Sequence, residues 1–217
     1  MQQDQNIKGF TILELLVVIT IVAIISAVAY PNFSNWRQDR ELRAAMEKAA
    51  TMLSSVNTLS QRGNYPFVQF RVTPNGTTST KFISKGMDAT SLSIKLNNAQ
   101  TIECNTSSGS YWDNNQVDEI TKKISTHISK DGAVCFSKDG SYFKAHGTLK
   151  NNLNVTVENR STNQYLILCT TSNASNGGKC PLDQGGGLEK PAYLVEWTRF
   201  GNISKFKWSG SDWNRQN

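Results

Sequence analysis

The chain has 217 residues, a formal net charge of +6 and 9% aromatic residues. That aromatic content excludes a disordered chain. With the apolar amino-terminal part set aside, enough sequence remains for one globular domain. Asp4 and Lys8 cancel within residues 1–9, so the basic surplus belongs to residues 10–217; it permits contact with polyanions without showing it.

Residues 1–9 read as a leader that carries targeting information and no fold. Lys8-Gly9-Phe10-Thr11-Ile12-Leu13-Glu14 then opens into an apolar run from Leu15 to Tyr30. Residues 10–30 make a helix of about 31 Å at about 1.5 Å per residue, enough to cross the hydrocarbon core of a bilayer. Glu14 is the only charge in that segment. A charge near the centre of such a helix costs about 2.5–3.5 kcal/mol, less near its end, so Glu14 needs a reason. A secretory signal cleaved after Ala27-Val28-Ala29 does not supply one, since Asp4 and Glu14 both intrude on its pattern. An uncleaved signal anchor leaves Glu14 unexplained.

Pro31 removes a backbone donor and predicts a kink. Residues 31–62 continue the helix as an amphipathic segment. Trp36, Leu42, Met46, Ala49, Leu53, Val56 and Leu59 recur at mostly three- and four-residue steps, and Arg37, Arg40, Glu41, Arg43, Glu47 and Lys48 fall between them. Gly63 and Pro66 end the pattern.

Residues 63–217 change period. Phe67–Val72 reads as a strand, as do Lys81–Ser84, Leu92–Leu96, Val134–Ser137, Leu153–Glu158, Tyr165–Cys169, Tyr193–Thr198 and Lys205–Trp208. Pro74-Asn75-Gly76, Asp139-Gly140, Gly177-Gly178 and Gly185-Gly186-Gly187 mark turns between them. Val117, Ile120, Ile124 and Ile128 predict a short helix over Val117–Ile128. The expected fold class is α+β: a long amino-terminal helix, transmembrane and then amphipathic, packed on a mostly antiparallel β-sheet domain.

Cys104, Cys135, Cys169 and Cys180 are an even set, as disulfides in an exported domain require. Three connectivities are open; Cys104 with Cys135 and Cys169 with Cys180 closes the shorter loops. There is no CxxC, and His127 and His146 stand in unrelated contexts and read as surface residues, so no metal site is expected. Asp113, Asp118 and Glu119 cluster near Trp112, but their spacing does not fit a calcium loop. Phosphate-binding glycine loops, HExxH and GxSxG are missing from the sequence, so neither an enzyme nor a cofactor is expected.

The carboxyl-terminal stretch mixes cations with aromatics: Trp197, Arg199, Phe200, Lys205, Phe206, Lys207, Trp208, Trp213 and Arg215. Cations neutralise phosphates and aromatic faces stack on unpaired bases, which makes Arg199, Lys205, Lys207, Trp208, Trp213 and Arg215 candidate contacts to DNA or another polyanion. The alternative is a terminal hairpin with Trp197, Phe206 and Trp208 in the core and Arg199, Lys205 and Lys207 facing water.

The run from Lys8 to Val18 resembles the class III prepilin signal of type IV pilins and type II secretion pseudopilins. That resemblance implies cleavage after Gly9 by a prepilin peptidase, methylation of the new Phe10 amine by the same enzyme, and a filament-assembly role for Glu14 at the fifth mature position. Pro31 matches the proline that ends the family's membrane-embedded segment. Implied partners are the prepilin peptidase/methyltransferase, other pilins or pseudopilins, and the inner membrane, with an assembly ATPase elsewhere doing the work. The expected location is the bacterial inner membrane, single-pass, with a periplasmic domain that joins a filament. Val134-Cys135-Phe136-Ser137-Lys138-Asp139-Gly140 is similar to a segment of the GspH/FimT group of minor pilins and pseudopilins. Some FimT-like pilins take up DNA through a basic carboxyl-terminal region; this chain departs from them in holding a single arginine in its last six residues. The resemblance implies a minor pilin of a type IV pilus, with an H-type pseudopilin as the alternative. A secreted ligand-binding or enzymatic domain on a signal peptide is the distant one.

Overall fold

The computed structural model describes residues 10–63, 65–76, 78–98, 104, 112, 118–137, 143–150, 152–175, 177–182 and 187–217, without the side chains of 28–32, 95–96 and 143–146. The chain divides into two compact units between Asp39 and Arg40. One helix, α1 (Ile12–Gln61), contributes to both.

In the first unit, the helix begins at a threonine cap. The Glu14 N–H donates to Thr11 Oγ1 at 3.1 Å, and the Leu15 N–H donates to the Thr11 carbonyl at 3.1 Å. Thr11 and Glu14 thus hold the cap and third-residue positions of a capping box, and Glu14 brings negative charge to the positive end of the helix. Every side chain from Phe10 to Ala27 is exposed. Thr20, the polar interruption, donates its hydroxyl to the Leu16 carbonyl at 2.8 Å and so leaves no donor unmet on an apolar surface. The helix continues through position 31.

The second unit is built on the other half of α1. Leu42, Ala45, Met46, Ala49, Met52, Leu53 and Val56 are buried at three- and four-residue steps, as the amphipathic pattern predicts. Trp36 does not belong to this stripe: it lies in the first unit and is 52% exposed.

Two five-stranded sheets complete the second unit, antiparallel at every pairing. The first has the order β3-β2-β1-β5-β6, with β1 at Phe67–Asn75, β2 at Ser79–Met87, β3 at Asp118–Lys122, β5 at Gly132–Ser137 and β6 at Phe143–Gly147. The second has the order β12-β11-β10-β9-β4, with β4 at Ser125–Thr126, β9 at Tyr165–Cys169, β10 at Ala192–Trp197, β11 at Ile203–Trp208 and β12 at Trp213–Gln216. A hairpin of β7 (Val155–Val157) and β8 (Arg160–Thr162) stands apart. The order of one long helix and then antiparallel sheets is the α+β architecture that the sequence predicts.

Alternation along β9 and β10 sends side chains into two cores. Leu166, Leu168, Tyr193, Val195 and Trp197 join the α1 residues and Val68, Phe70, Val72 and Phe82 in the main core. Tyr165, Ile167, Cys169, Ala192 and Leu194 face the other way and pack with Phe206, Trp208, Trp213 and the hairpin residues Val155 and Val157. The second sheet is thus covered on both faces along its central strands, so β9 reads as an unbroken apolar run and β10 as one interrupted only at Glu196. At the tip between β10 and β11, Asn57 Nδ2 donates to the Phe200 carbonyl at 3.1 Å. Gly201, at φ +79°, lies so close to Asn57 that an added Cβ would stand 2.1 Å from it.

Two sequence expectations are corrected. Leu92–Leu96 is not a strand but part of α2 (Ala89–Asn97), started by Asp88, whose carboxylate accepts from the Ser91 N–H at 2.7 Å and from its hydroxyl at 2.8 Å. Residues 118–128 are not helical. Ile120, Ile124 and Ile128 all turn inward at four-residue steps, but the chain reaches those positions by β3, a bend and β4, and Thr80 Oγ1 secures the bend by donating to the Ile124 carbonyl at 3.0 Å. Val117, Asp139, Gly140, Gly185 and Gly186 lie outside the described residues.

Candidate functional site

The amino-terminal site is a short piece of chain with few partners of its own. Gly9 lies outside the described residues, and so does the Pro31 side chain. Phe10 is the first described residue and is 84% exposed. Thr11 fixes the first helical turn, and Glu14 stands in it. Capping therefore gives Glu14 a reason to sit at the start of the apolar run, in addition to any partner from another subunit. Among the described residues no helix is both long and apolar enough to cross a membrane; the described side chains of the apolar run stop at Ala27.

The carboxyl-terminal cations do not gather into one patch. Register places Lys205 and Lys207 on the α1 side of β11, opposite Val195 and Tyr193. Lys205 Nζ reaches both oxygens of the Glu47 carboxylate, at 2.9 and 3.1 Å. Lys207 Nζ stands 5.5 Å from the centre of the Tyr193 ring. Arg215 pairs across the ladder with Phe206 and so faces the second core's side of the sheet. There it donates to Ser204 Oγ at 3.3 Å and lies 3.7 Å from the Glu158 carboxylate. Arg199 lies in the turn before β11, its guanidinium 6.0 Å from the Phe200 ring.

The aromatic half of the supposed nucleic-acid surface is buried. Trp208 and Trp213 are 7% and 5% exposed and lie against each other at 5.1 Å between ring centres. Trp208 Nε1 donates to the Leu188 carbonyl at 3.0 Å. Neither ring has a face free to stack on a base. Trp197 and Phe206 are also buried, as the hairpin alternative expects, but Lys205 is tied to α1 rather than facing water alone. Beside that ion pair, a groove of about 490 Å³ runs between Thr51, Ser54, Thr58 and Arg62 of the α1 end and Ile203 of β11.

Both disulfides form with the pairing that closes the shorter loops, Cys104 with Cys135 and Cys169 with Cys180. The first ties the segment after α2 to β5, where Cys135, Ala133 and Met87 cover Trp112. The second closes a short loop off the end of β9. Glu119 is held by Lys81 at 2.6 Å, Asp113 lies outside the described residues, and no group of three metal-ligating side chains forms among those described.

His127 is half-buried rather than exposed. Its Nδ1 accepts the Ile167 N–H at 3.1 Å, and its own backbone N–H donates to the Ile167 carbonyl at 3.2 Å. Nε2 therefore carries the proton and meets Asn152 Oδ1 at 2.9 Å, while Asn152 Nδ2 donates to the Tyr165 carbonyl at 2.8 Å. The imidazole substitutes for a backbone acceptor and prolongs the pairing of β4 with β9. Burial pushes its pKa down to about 4, against the smaller upward pull of its Asn152 and Ile167 hydrogen bonds. The His146 side chain lies outside the described residues.

The described residues thus form a capped apolar helix with an acidic first turn and a disulfide-braced β domain. The model of the prokaryotic N-terminal methylation motif matches residues 4–30, and the chain carries the prepilin signal of type IV pilins and pseudopilins. The match covers the amino-terminal motif alone, the signal that prepilin peptidase processes in type IV pilins and pseudopilins. No solved structure matches the chain.

Proposed function

We propose that this chain is a minor pilin of a type IV pilus. After cleavage at Gly9 it waits in the bacterial inner membrane on its apolar helix, with the β domain in the periplasm. It is then drawn into the filament, where the apolar helices bundle. The cationic Phe10 amine of one subunit pairs there with the Glu14 carboxylate of another, since an unpaired carboxylate among apolar helices is strongly penalised. A buried pair of that kind fixes register better than it adds stability. The observation that carries the reading is the methylation motif over residues 4–30, joined to a helix whose side chains from Phe10 to Ala27 all face outward. The chain acts as a structural subunit and catalyses no reaction.

An H-type pseudopilin of a type II secretion system is the second reading; the similarity of Val134–Gly140 to the GspH/FimT group of minor pilins and pseudopilins fits both. Deletion of the gene distinguishes them: loss of piliation with secretion intact supports the pilus, and loss of exoprotein secretion supports the pseudopilin. A DNA-uptake role finds no stacking surface in Trp208 and Trp213, which are confined to the core. The class itself is tested by the mass and amino-terminal sequence of the protein purified from native membranes. A start at N-methylated Phe10 is the expected result; a start at Tyr30 would make the chain an ordinary secreted domain.

A further inference from the structure

Phe33 and Trp36 are large, apolar and exposed, at 61% and 52%, and belong to the unit that ends at Asp39. They lie three residues apart on α1 with ring centres 5.7 Å apart, so they share one face of the helix. Arg37, also exposed, stands at the four-residue step from Phe33 and extends the same face. These residues do not belong to the amphipathic stripe that α1 buries from Leu42 onward.

We propose that Phe33 and Trp36 form an interfacial aromatic collar that seats the waiting subunit in the outer headgroup layer of the membrane. The inference rests on the membrane-waiting state proposed above and adds a depth to it. At about 1.5 Å per residue, Phe33 and Trp36 stand about 35 and 39 Å along the helix from Phe10. The hydrocarbon core is about 30 Å thick, and about 40–45 Å with both headgroup layers. With the Phe10 amine among the inner headgroups, the two rings reach the outer headgroups and not bulk water. The chemistry matches that layer. Indole has an apolar body and one N–H donor, and aromatic rings collect where one end is dry and the other wet. The collar must be released when the helix is extracted.

The test uses the full-length chain in vesicles of phosphatidylethanolamine and phosphatidylglycerol. The fluorescence difference between it and Trp36→Phe isolates Trp36 from the other four tryptophans. Quenching is compared between a spin label on the lipid headgroup and bromines deep in the acyl chain. The collar predicts at least threefold stronger quenching of the difference signal by the headgroup label. Equal insensitivity to both quenchers, in vesicles that keep the chain through a carbonate wash, overturns the collar and leaves Phe33 and Trp36 for a neighbouring pilin. Stronger quenching by the deep bromines also overturns it, by placing the rings in the core. Loss of the chain in the carbonate wash overturns the membrane-waiting state, and the collar falls with it.

Discussion

Lys205 holds both oxygens of Glu47 and ties β11 to α1 across a sequence separation of 158 residues. The lysine that composition offers as a phosphate contact is engaged in joining the last sheet to the supporting helix. Its side chain is 24% exposed and that of Glu47 is 40% exposed, so water screens the pair. A double-mutant cycle with Lys205→Met and Glu47→Gln should give a coupling of about 0.5 kcal/mol in urea unfolding of the full chain in detergent. A coupling several times larger would show that the pair governs how β11 seats.

Arg160 and Glu196 should behave differently. Arg160 donates both terminal nitrogens to the two oxygens of Glu196, whose side chain is 4% exposed. That fork pins the β7–β8 hairpin over the second core. Arg160→Ala leaves a buried carboxylate without its partner and should cost about 2–3 kcal/mol, at or below the low end for buried pairs because Arg160 itself is half exposed. The double variant Arg160→Ala, Glu196→Gln should recover part of the loss. No recovery in chemical unfolding would assign the cost to hairpin packing rather than to the stranded charge.

Acid should loosen the β4 edge. The folded pKa of His127 is about 4, below the ordinary value of 6.5. Above pH 6.5 the group is neutral in both states and contributes no pH dependence. Between pH 6.5 and about 4 the unfolded state takes up the proton and the folded state does not, so stability falls with falling pH; below about 4 this contribution levels off. The total is on the order of 3 kcal/mol, at about 1.4 kcal/mol per pH unit between 6.5 and about 4. His127→Asn retains an acceptor for the Ile167 N–H and should flatten this part of the profile. Equal slopes for the two proteins would remove His127 as the cause.

Glu14→Ala should leave the subunit folded and inserted but poorly incorporated into filaments. Glu14→Gln tests the cap separately, because glutamine also serves a capping box. Incorporation restored by glutamine would assign the role of Glu14 to the helix start, and continued failure would assign it to the charge. The readout is the subunit's share of sheared filaments against its amount in membranes.

Removing Cys169–Cys180 by Cys169→Ser, Cys180→Ser should cost about 2–3 kcal/mol, since it frees a loop with a sequence separation of 11. Hydrogen exchange should show the loss at the end of β9 and at β4, with α1 protected as before.

The long helix, β1, β5 and β9 to β11 were legible in the sequence because their residues bury on a regular period. The disulfide pairing was legible too, since loop length alone favoured the bonds that form. The excursion between β2 and β5 was not. Isoleucines four apart satisfy a helix, and equally a strand, bend and strand that each turn one residue inward, and local spacing does not separate the two. Leu92–Leu96 is too short for its period to decide, and the deciding signal was the Asp88 cap with Ser91 three residues on. The carboxyl-terminal tail misled for another reason. Composition counts cations and rings but does not say which face each takes. Only the ladder of β10, β11 and β12 sends Trp208 and Trp213 inward and sets Arg215 on the opposite face from Lys205. His127 gave no signal, since its role depends on a backbone amide 40 residues away.

The clasp between Asn57 and the β10–β11 tip joins two positions that are distant along the chain. Position 201 accepts no side chain while residue 57 keeps its length, and residue 57 holds the Phe200 carbonyl only while position 201 stays bare. Drift at the two sites is therefore coupled: chains descended from the same ancestor should keep the Asn–Gly pair whole or exchange both members together. A lineage that acquires a larger residue at 201 first is expected to carry a smaller one at 57 soon after.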